Sequence, residues 1–175
     1  MAEKKNAISY ESIMKDLKAR KFAPVYVLMG DEPFYIDKIC DYIAENVLQP
    51  EERDFNQTVL FGADTTAVQV VDQCKGYPMM AEFRVVIVKE AQNLKSLDAL
   101  EKYLEKPVKS TVLVICNKNG SIDRRKKFIP RAEQVGVVFE SKKLYDRQLP
   151  GFIETYLKAR KEPSNRRRCR WWQII

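Results

Sequence analysis

The chain contains no histidine. The commonest general base and the commonest metal ligand are therefore missing, and Cys–His or Ser–His catalytic pairs are excluded. Cysteine is sparse: Cys40, Cys74, Cys116 and Cys169 are scattered without pair spacing, three of them inside apolar segments. They read as reduced, buried thiols of a cytoplasmic protein, not as a disulfide framework or a zinc site. No apolar run is long enough to cross a bilayer, so no membrane partner is expected. The opening Met1-Ala2-Glu3-Lys4-Lys5-Asn6 has no apolar core, so no secretory signal is expected either. No G-x-S-x-G elbow follows a strand, and no G-x-x-x-x-G-K-[ST] loop is present. No catalytic residues, cofactor or metal are expected.

Charge of one sign is also scarcer than the formal net of +7 suggests. Residues 158–175 hold seven basic side chains and one acidic, whereas the other 157 residues hold 24 basic and 23 acidic. The body is close to neutral, so the basic composition does not mark a nucleic-acid-binding face on the fold.

What remains is 175 residues, 45% of them hydrophobic, enough for one domain with a core. Residues 8–20 read as a helix, with Ser9 as N-cap and Tyr10, Ile13, Met14 and Leu17 on one stripe. Pro24-Val25-Tyr26-Val27-Leu28-Met29 reads as a buried strand. After the turn Gly30-Asp31-Glu32-Pro33, a helix runs to about residue 48 with Ile36, Ile39, Cys40, Ile43 and Val47 on one face. Glu51 and Glu52 read as an exposed turn after Pro50, and residues 55–61 as a second strand. Thr65 or Thr66 then caps a helix carrying Val68, Val71 and Cys74, which Gly76 stops. Val85-Val86-Ile87-Val88 is a strand buried on both faces. Ser96 caps a short helix with Leu97, Leu100, Tyr103 and Leu104. Residues 111–116 form another buried strand, 123–134 a basic helix with Pro130 as its break point, 135–140 a short strand and 149–160 a last helix. Strand and helix alternate at least four times, which implies a three-layer α/β domain with a mostly parallel sheet. Functional loops of such sheets lie beyond the carboxyl ends of the strands, here residues 30–34, 61–66, 89–94 and 117–122.

The loop after the first strand places Asp31 and Glu32 where a nucleotide-binding domain of this shape would hold phosphate, and Pro33 has no N–H to donate. Like charges a few ångströms apart repel by about 1 kcal/mol even in water. Nucleotide hydrolysis is not expected, and the two acids read as a helix cap. A second stretch stands out for the opposite reason. Gly76-Tyr77-Pro78-Met79-Met80-Ala81-Glu82-Phe83-Arg84 should be a polar connection, yet it holds two methionines and two aromatics. Those side chains either tuck under the sheet or wait for a partner. The basic run Arg124-Arg125-Lys126-Lys127 reads as a solvated helix face, with phosphate or DNA contact as its alternative.

Residues 24–36, Pro24-Val25-Tyr26-Val27-Leu28-Met29-Gly30-Asp31-Glu32-Pro33-Phe34-Tyr35-Ile36, resemble the opening of the delta subunit of the bacterial DNA polymerase III clamp loader. Residues 78–89, Pro78-Met79-Met80-Ala81-Glu82-Phe83-Arg84-Val85-Val86-Ile87-Val88-Lys89, resemble that family's clamp-binding segment and the strand after it. The two motifs in this order, without a phosphate loop, extend the resemblance over about residues 8–161. It implies an AAA+-like clamp-binding domain over residues 1–145 and the start of a second helical domain over 146–161. Such a protein pushes an apolar wedge into the sliding clamp and has no ATPase activity of its own. Met79 and Met80 align with the apolar plug, Tyr77 with a supporting position, and Phe83 is counted with them. The family often has leucine and phenylalanine at the plug; two methionines keep the bulk and adapt to an irregular pocket. Implied partners are the clamp, the ATPase and delta-prime type subunits, and primed DNA indirectly. Two other readings stay open: a degenerate nucleotide-binding or phosphotransfer α/β domain, and a nucleic-acid module binding through its basic end.

Residues 162–175 are expected to be a non-native or disordered basic tail. They show no apolar periodicity and hold both tryptophans. Codons can be chosen for them such that a one-base shift reads as a capped amphipathic helix start, as expected for a second domain. A frameshift in the coding DNA is the expected finding; an in-frame gene without the shifted helix would end the idea.

Overall fold

In the central strands the apolar residues serve two opposite layers at once. Val25, Val27 and Met29 face one core, while Tyr26 and Leu28 face the other; Val86 and Val88 alternate with Val85 and Ile87, and Leu113 and Ile115 with Val112, Val114 and Cys116. A strand with this pattern must lie inside a sheet covered on both faces. The computed structural model describes residues 8–124 and 126–142, with only the backbone for Asp98. Arg125, the helix expected at 149–160, the second-domain start and the basic tail lie outside the described residues.

Five strands, β1 (Val25–Gly30), β2 (Gln57–Phe61), β3 (Arg84–Lys89), β4 (Thr111–Lys118) and β5 (Val137–Ser141), pair in parallel in the order β2-β3-β4-β1-β5. The helices are α1 (Tyr10–Lys18), α2 (Pro33–Asn46), α3 (Pro50–Asn56), α4 (Ala67–Lys75), α5 (Asp98–Tyr103) and α6 (Phe128–Val135). Side chains of α4, α5 and α6 fill one core and those of α1 and α2 the other, so the expected three-layer α/β architecture is present. Burying one such Val, Leu or Ile side chain is worth about 1.5–3 kcal/mol. Among the described residues no helix is long and apolar enough to cross a membrane.

Local chemistry explains most boundaries. The Ser9 hydroxyl accepts from the Ser12 N–H and starts α1. Pro33 opens α2, where its missing N–H costs nothing, and the Glu32 carboxylate accepts from the Phe34 N–H at 3.3 Å. Thr66, not Thr65, caps α4 in a reciprocal box with Gln69.

Four expectations are corrected. Residues 50–56 are helical, so Phe55 and Asn56 precede the second strand instead of opening it; Glu51 and Glu52 form the first helical turn, and Glu52 accepts the Gln49 N–H at 2.9 Å. Val68 is 59% exposed, because α4 buries Ala67, Val70, Val71 and Cys74 at the i, i+3, i+4, i+7 spacing. Leu97, not Ser96, is the N-cap of α5. Finally, α6 begins only at Phe128, which puts Pro130 in its first turn, where no intrahelical N–H bond is lost.

One buried pair makes stability sensitive to alkali. Cys74 on α4 and Tyr103 on α5 are neighbours in the first core, and the Tyr103 hydroxyl accepts the Val108 N–H at 3.2 Å. Burial pushes the thiol from 9.0 up to about 12 and the phenol from 10.0 up to about 12. Above pH 9 the unfolded chain releases these protons while the folded chain keeps them. Stability is therefore full below that pH and falls as pH rises toward 12. Thermal melts should be level near neutrality and decline above pH 9, less steeply in Tyr103→Phe; an unchanged decline in that variant would contradict the assignment.

Candidate functional site

Open parallel sheets hold ligands at the carboxyl ends of their strands, in the crevice where the strand order reverses. Here that crevice, between β1 and β4, is laced shut by main-chain bonds. The Gly30 N–H donates to the Gly120 carbonyl at 3.0 Å across it, and on the other side of β1 the Asp31 N–H donates to the Ser141 carbonyl of β5 at 3.1 Å. Gly30 has φ +135°, and a Cβ there would lie 2.0 Å from the Ser141 carbonyl oxygen, so only glycine fits. The Phe34 N–H is taken by Glu32, and Pro33 has none. Asn117 donates to the Gly120 carbonyl at 2.9 Å, and Lys118 is paired with Asp37 at 2.6 Å. The Gly30, Asp31 and Phe34 amides of this loop are thus engaged within the protein itself.

The apolar stretch lies at the other end of the sheet. Between two parallel strands the chain must return from carboxyl to amino end, and α4 makes that return between β2 and β3. Residues 76–83 follow it, at the amino edge. The end of α4 is tied down: Thr111 Oγ1 donates to the Cys74 carbonyl at 2.9 Å, and Arg84 Nη2 donates to Gln73 Oε1 at 2.7 Å. Gly76 ends α4 in an extended conformation, φ −64° and ψ 140°, with the Arg84 guanidinium against it; a Cβ would sit 3.1 Å from Nη1. The left-handed residue of this stretch is Met80, at φ +52°. A non-glycine residue there is under backbone strain of the order of 1–2 kcal/mol.

The sequence-predicted residues separate into two groups. Tyr77, Met79 and Met80 project outward, exposed to 84%, 59% and 101% of their surfaces. Phe83 turns inward: its ring meets Phe22 edge-on at 5.5 Å, within the α1–α2 core layer, and Arg20 lies over the other ring at 5.6 Å. Phe83 therefore supports the stretch from beneath and is not part of its exposed surface. Strand alternation explains this, since residue 83 shares the face of Val85 and Ile87.

Two residues went unread in the sequence. Asn56, fully buried at the end of α3, accepts the Met79 N–H at 2.6 Å and donates to the Met79 carbonyl at 2.9 Å. Its amide also donates to the Glu52 carbonyl at 3.0 Å. Phe55, its neighbour in the chain, is 65% exposed. Placing both in a strand hid them; Pro50-Glu51-Glu52, a proline followed by two acids, was the helix-start signal available.

The described residues of the basic run, Arg124, Lys126 and Lys127, are not brought together with this stretch. They precede α6 and do not form a helix face. Arg124 is paired with Glu140 at 2.6 Å and Glu133 at 3.7 Å. Lys126 and Lys127 are exposed and border a shallow cavity of about 550 Å³ with Lys95 and Glu101.

Comparison with known proteins adds the following. A family model described as DNA polymerase III, delta subunit, matches residues 26–142. DNA polymerase III subunit delta of Bacillus subtilis (strain 168) is 27% identical over 157 residues, which is 84% of this chain and 45% of that protein. The solved structure of the Bacillus subtilis DNA clamp loader delta protein superposes with a TM-score of 0.76 at 26% identity, over 86% of this chain and 48% of the other. The chain thus spans just under half the length of these relatives.

The site's geometry predicts a division by stability. Met79→Ala and Met80→Ala should each alter unfolding free energy by about 0.5 kcal/mol or less. Phe83→Ala should cost on the order of 2 kcal/mol, below the range for a fully buried phenylalanine. Urea titrations followed by circular dichroism test this; equal losses at all three positions would mean that the methionines belong to the core.

Proposed function

The chain belongs to the DNA polymerase III delta subunit family, whose model covers residues 26–142, and from that premise we propose that it is the clamp-binding part of a clamp-loader delta subunit. Its wedge is Met79 and Met80, with Tyr77 beside them and Phe83 as the support below. The observation that carries this reading is the pair of exposed methionines on a braced connection. Large apolar side chains that adjoin one another in water favour a surface that meets a partner. Methionine adapts to an irregular pocket better than a branched side chain.

The energy is sufficient. Burying one such side chain contributes about 1.5–3 kcal/mol. Two supply a large part of the roughly 8 kcal/mol of a micromolar affinity, provided that the loop needs little ordering on binding. In the full-length protein the ATPase and delta-prime type subunits would be further partners, and primed DNA an indirect one. Arg124 is committed to Glu140 and Glu133, which leaves Lys126 and Lys127 as the better candidates for a phosphate contact from the basic run.

The domain works without nucleotide. Asp31 and Glu32 stand where phosphate would lie, and the β1–β4 crevice is bonded to itself. The same facts weigh against a degenerate nucleotide-binding or phosphotransfer domain. Clamp opening by this part of the molecule is therefore a binding event, and ATP hydrolysis belongs to other subunits.

Two measurements test the proposal. Calorimetric titration with ATP and magnesium should give no saturable heat; micromolar binding would revive the nucleotide reading. In gel filtration or pull-down with the sliding clamp, the 175-residue chain should bind and the double variant Met79→Ala, Met80→Ala should not. A folded double variant that binds normally would end the wedge assignment.

A further inference from the structure

The methionines are only as useful as the backbone that presents them. Met79 is more than half exposed, yet both of its main-chain polar groups are held by one buried side chain from a separate element, 23 residues earlier in the chain. The Asn56 amide mimics a strand: it accepts one bond and returns another, so it fixes the Met79 peptide groups in direction as well as position. Its third bond, to the Glu52 carbonyl of its own helix, fixes the amide in turn. The next residue, Met80, then adopts φ +52°, and its side chain is wholly exposed. A strained left-handed methionine persists only where its surroundings impose it. Among the described residues, this two-point hold is the contact from outside residues 76–83 that acts on the backbone immediately before it.

We propose that Asn56 is a positioning residue of the wedge, which holds the Met79 backbone so that Met79 and Met80 meet the clamp already ordered. This rests on the clamp-binding reading above. Asn56 touches no partner; it acts through Met79. Without it, the Met79 N–H and carbonyl can turn to water, the strained conformation at Met80 loses its constraint, and binding must order the loop at the moment of contact.

The test measures the affinity of the 175-residue chain for the sliding clamp in four forms: unaltered, Asn56→Ala, Val138→Ala, and Met79→Ala with Met80→Ala. Asn56→Ala should weaken binding tenfold or more with both methionines present. Val138→Ala, a core truncation on the opposite edge strand β5, should lower stability yet leave affinity within about twofold. Hydrogen exchange of the unaltered chain needs no variant. There the Met79 amide should exchange at least tenfold more slowly than an unstructured amide, despite its exposed side chain. If the methionine double variant binds normally, the clamp-binding reading falls. If that variant loses binding while Asn56→Ala keeps it, the positioning role alone is wrong. Rapid exchange of the Met79 amide in the unaltered chain would also overturn it, whether or not Asn56→Ala folds. Equal loss of affinity in Val138→Ala would make the effect one of general stability and sink the proposal.

Discussion

Two parallel strands cannot be joined by a tight turn; the chain must travel back the full length of the sheet before it can pair again. Most of this molecule follows from that requirement. Each crossover here needs a helix to return the chain, α2, α4, α5 and α6 cover the faces of the sheet, and the central strands β1, β3 and β4 are apolar on both sides. The requirement also sorts the connections. Those after β1 and β4 meet at the β1–β4 crevice, while residues 76–83 arrive at the amino edge. In this chain the first group is bonded to itself and the second carries exposed apolar side chains.

At that end, packing and hydrogen bonding divide the labour. Phe83 rests on Phe22, and Arg84 holds the end of α4 through Gln73 and covers Gly76. Asn56 fixes Met79. These contacts anchor the stretch before, within and after the exposed residues. The exposed methionines lie outside both core clusters; on the proposed reading they are kept in water for a partner. The strain at Met80 belongs to the same design: a local cost of the order of 1–2 kcal/mol, offset by the contacts that order the stretch.

Much of this was legible in the sequence, because strands buried on both faces leave continuous apolar runs that nothing else in a chain of this size explains. The β1, β3 and β4 strands were readable for that reason, and so was the acidic cap at Glu32. The losses have particular causes. Helix α3 carries Phe55 as its one large apolar side chain, so no apolar stripe announces it. In α4, Val68 with Val71 and Cys74 competes with the true set of Ala67, Val70, Val71 and Cys74, in which a small alanine carries little signal. Phe83 was grouped with its exposed neighbours although strand parity places it with Val85 and Ile87. Asn56 left no local trace at all: a buried polar residue whose partner lies 23 positions away is defined by the fold alone. The exposure of Met79 and Met80 was expected from the sequence; the buried amide that holds the Met79 backbone was not.

The most direct measurement of the central claim uses the five methionines as reporters. With isotope-labelled methionine methyl groups, NMR spectra of the 175-residue chain are recorded as unlabelled sliding clamp is added. The Met79 and Met80 methyl signals should shift or broaden strongly, since they would pass from water into an apolar pocket. Met29, fully buried in the sheet, should show only the general broadening of a larger complex. A clamp complex that leaves the Met79 and Met80 signals no more perturbed than that of Met29 would contradict the account.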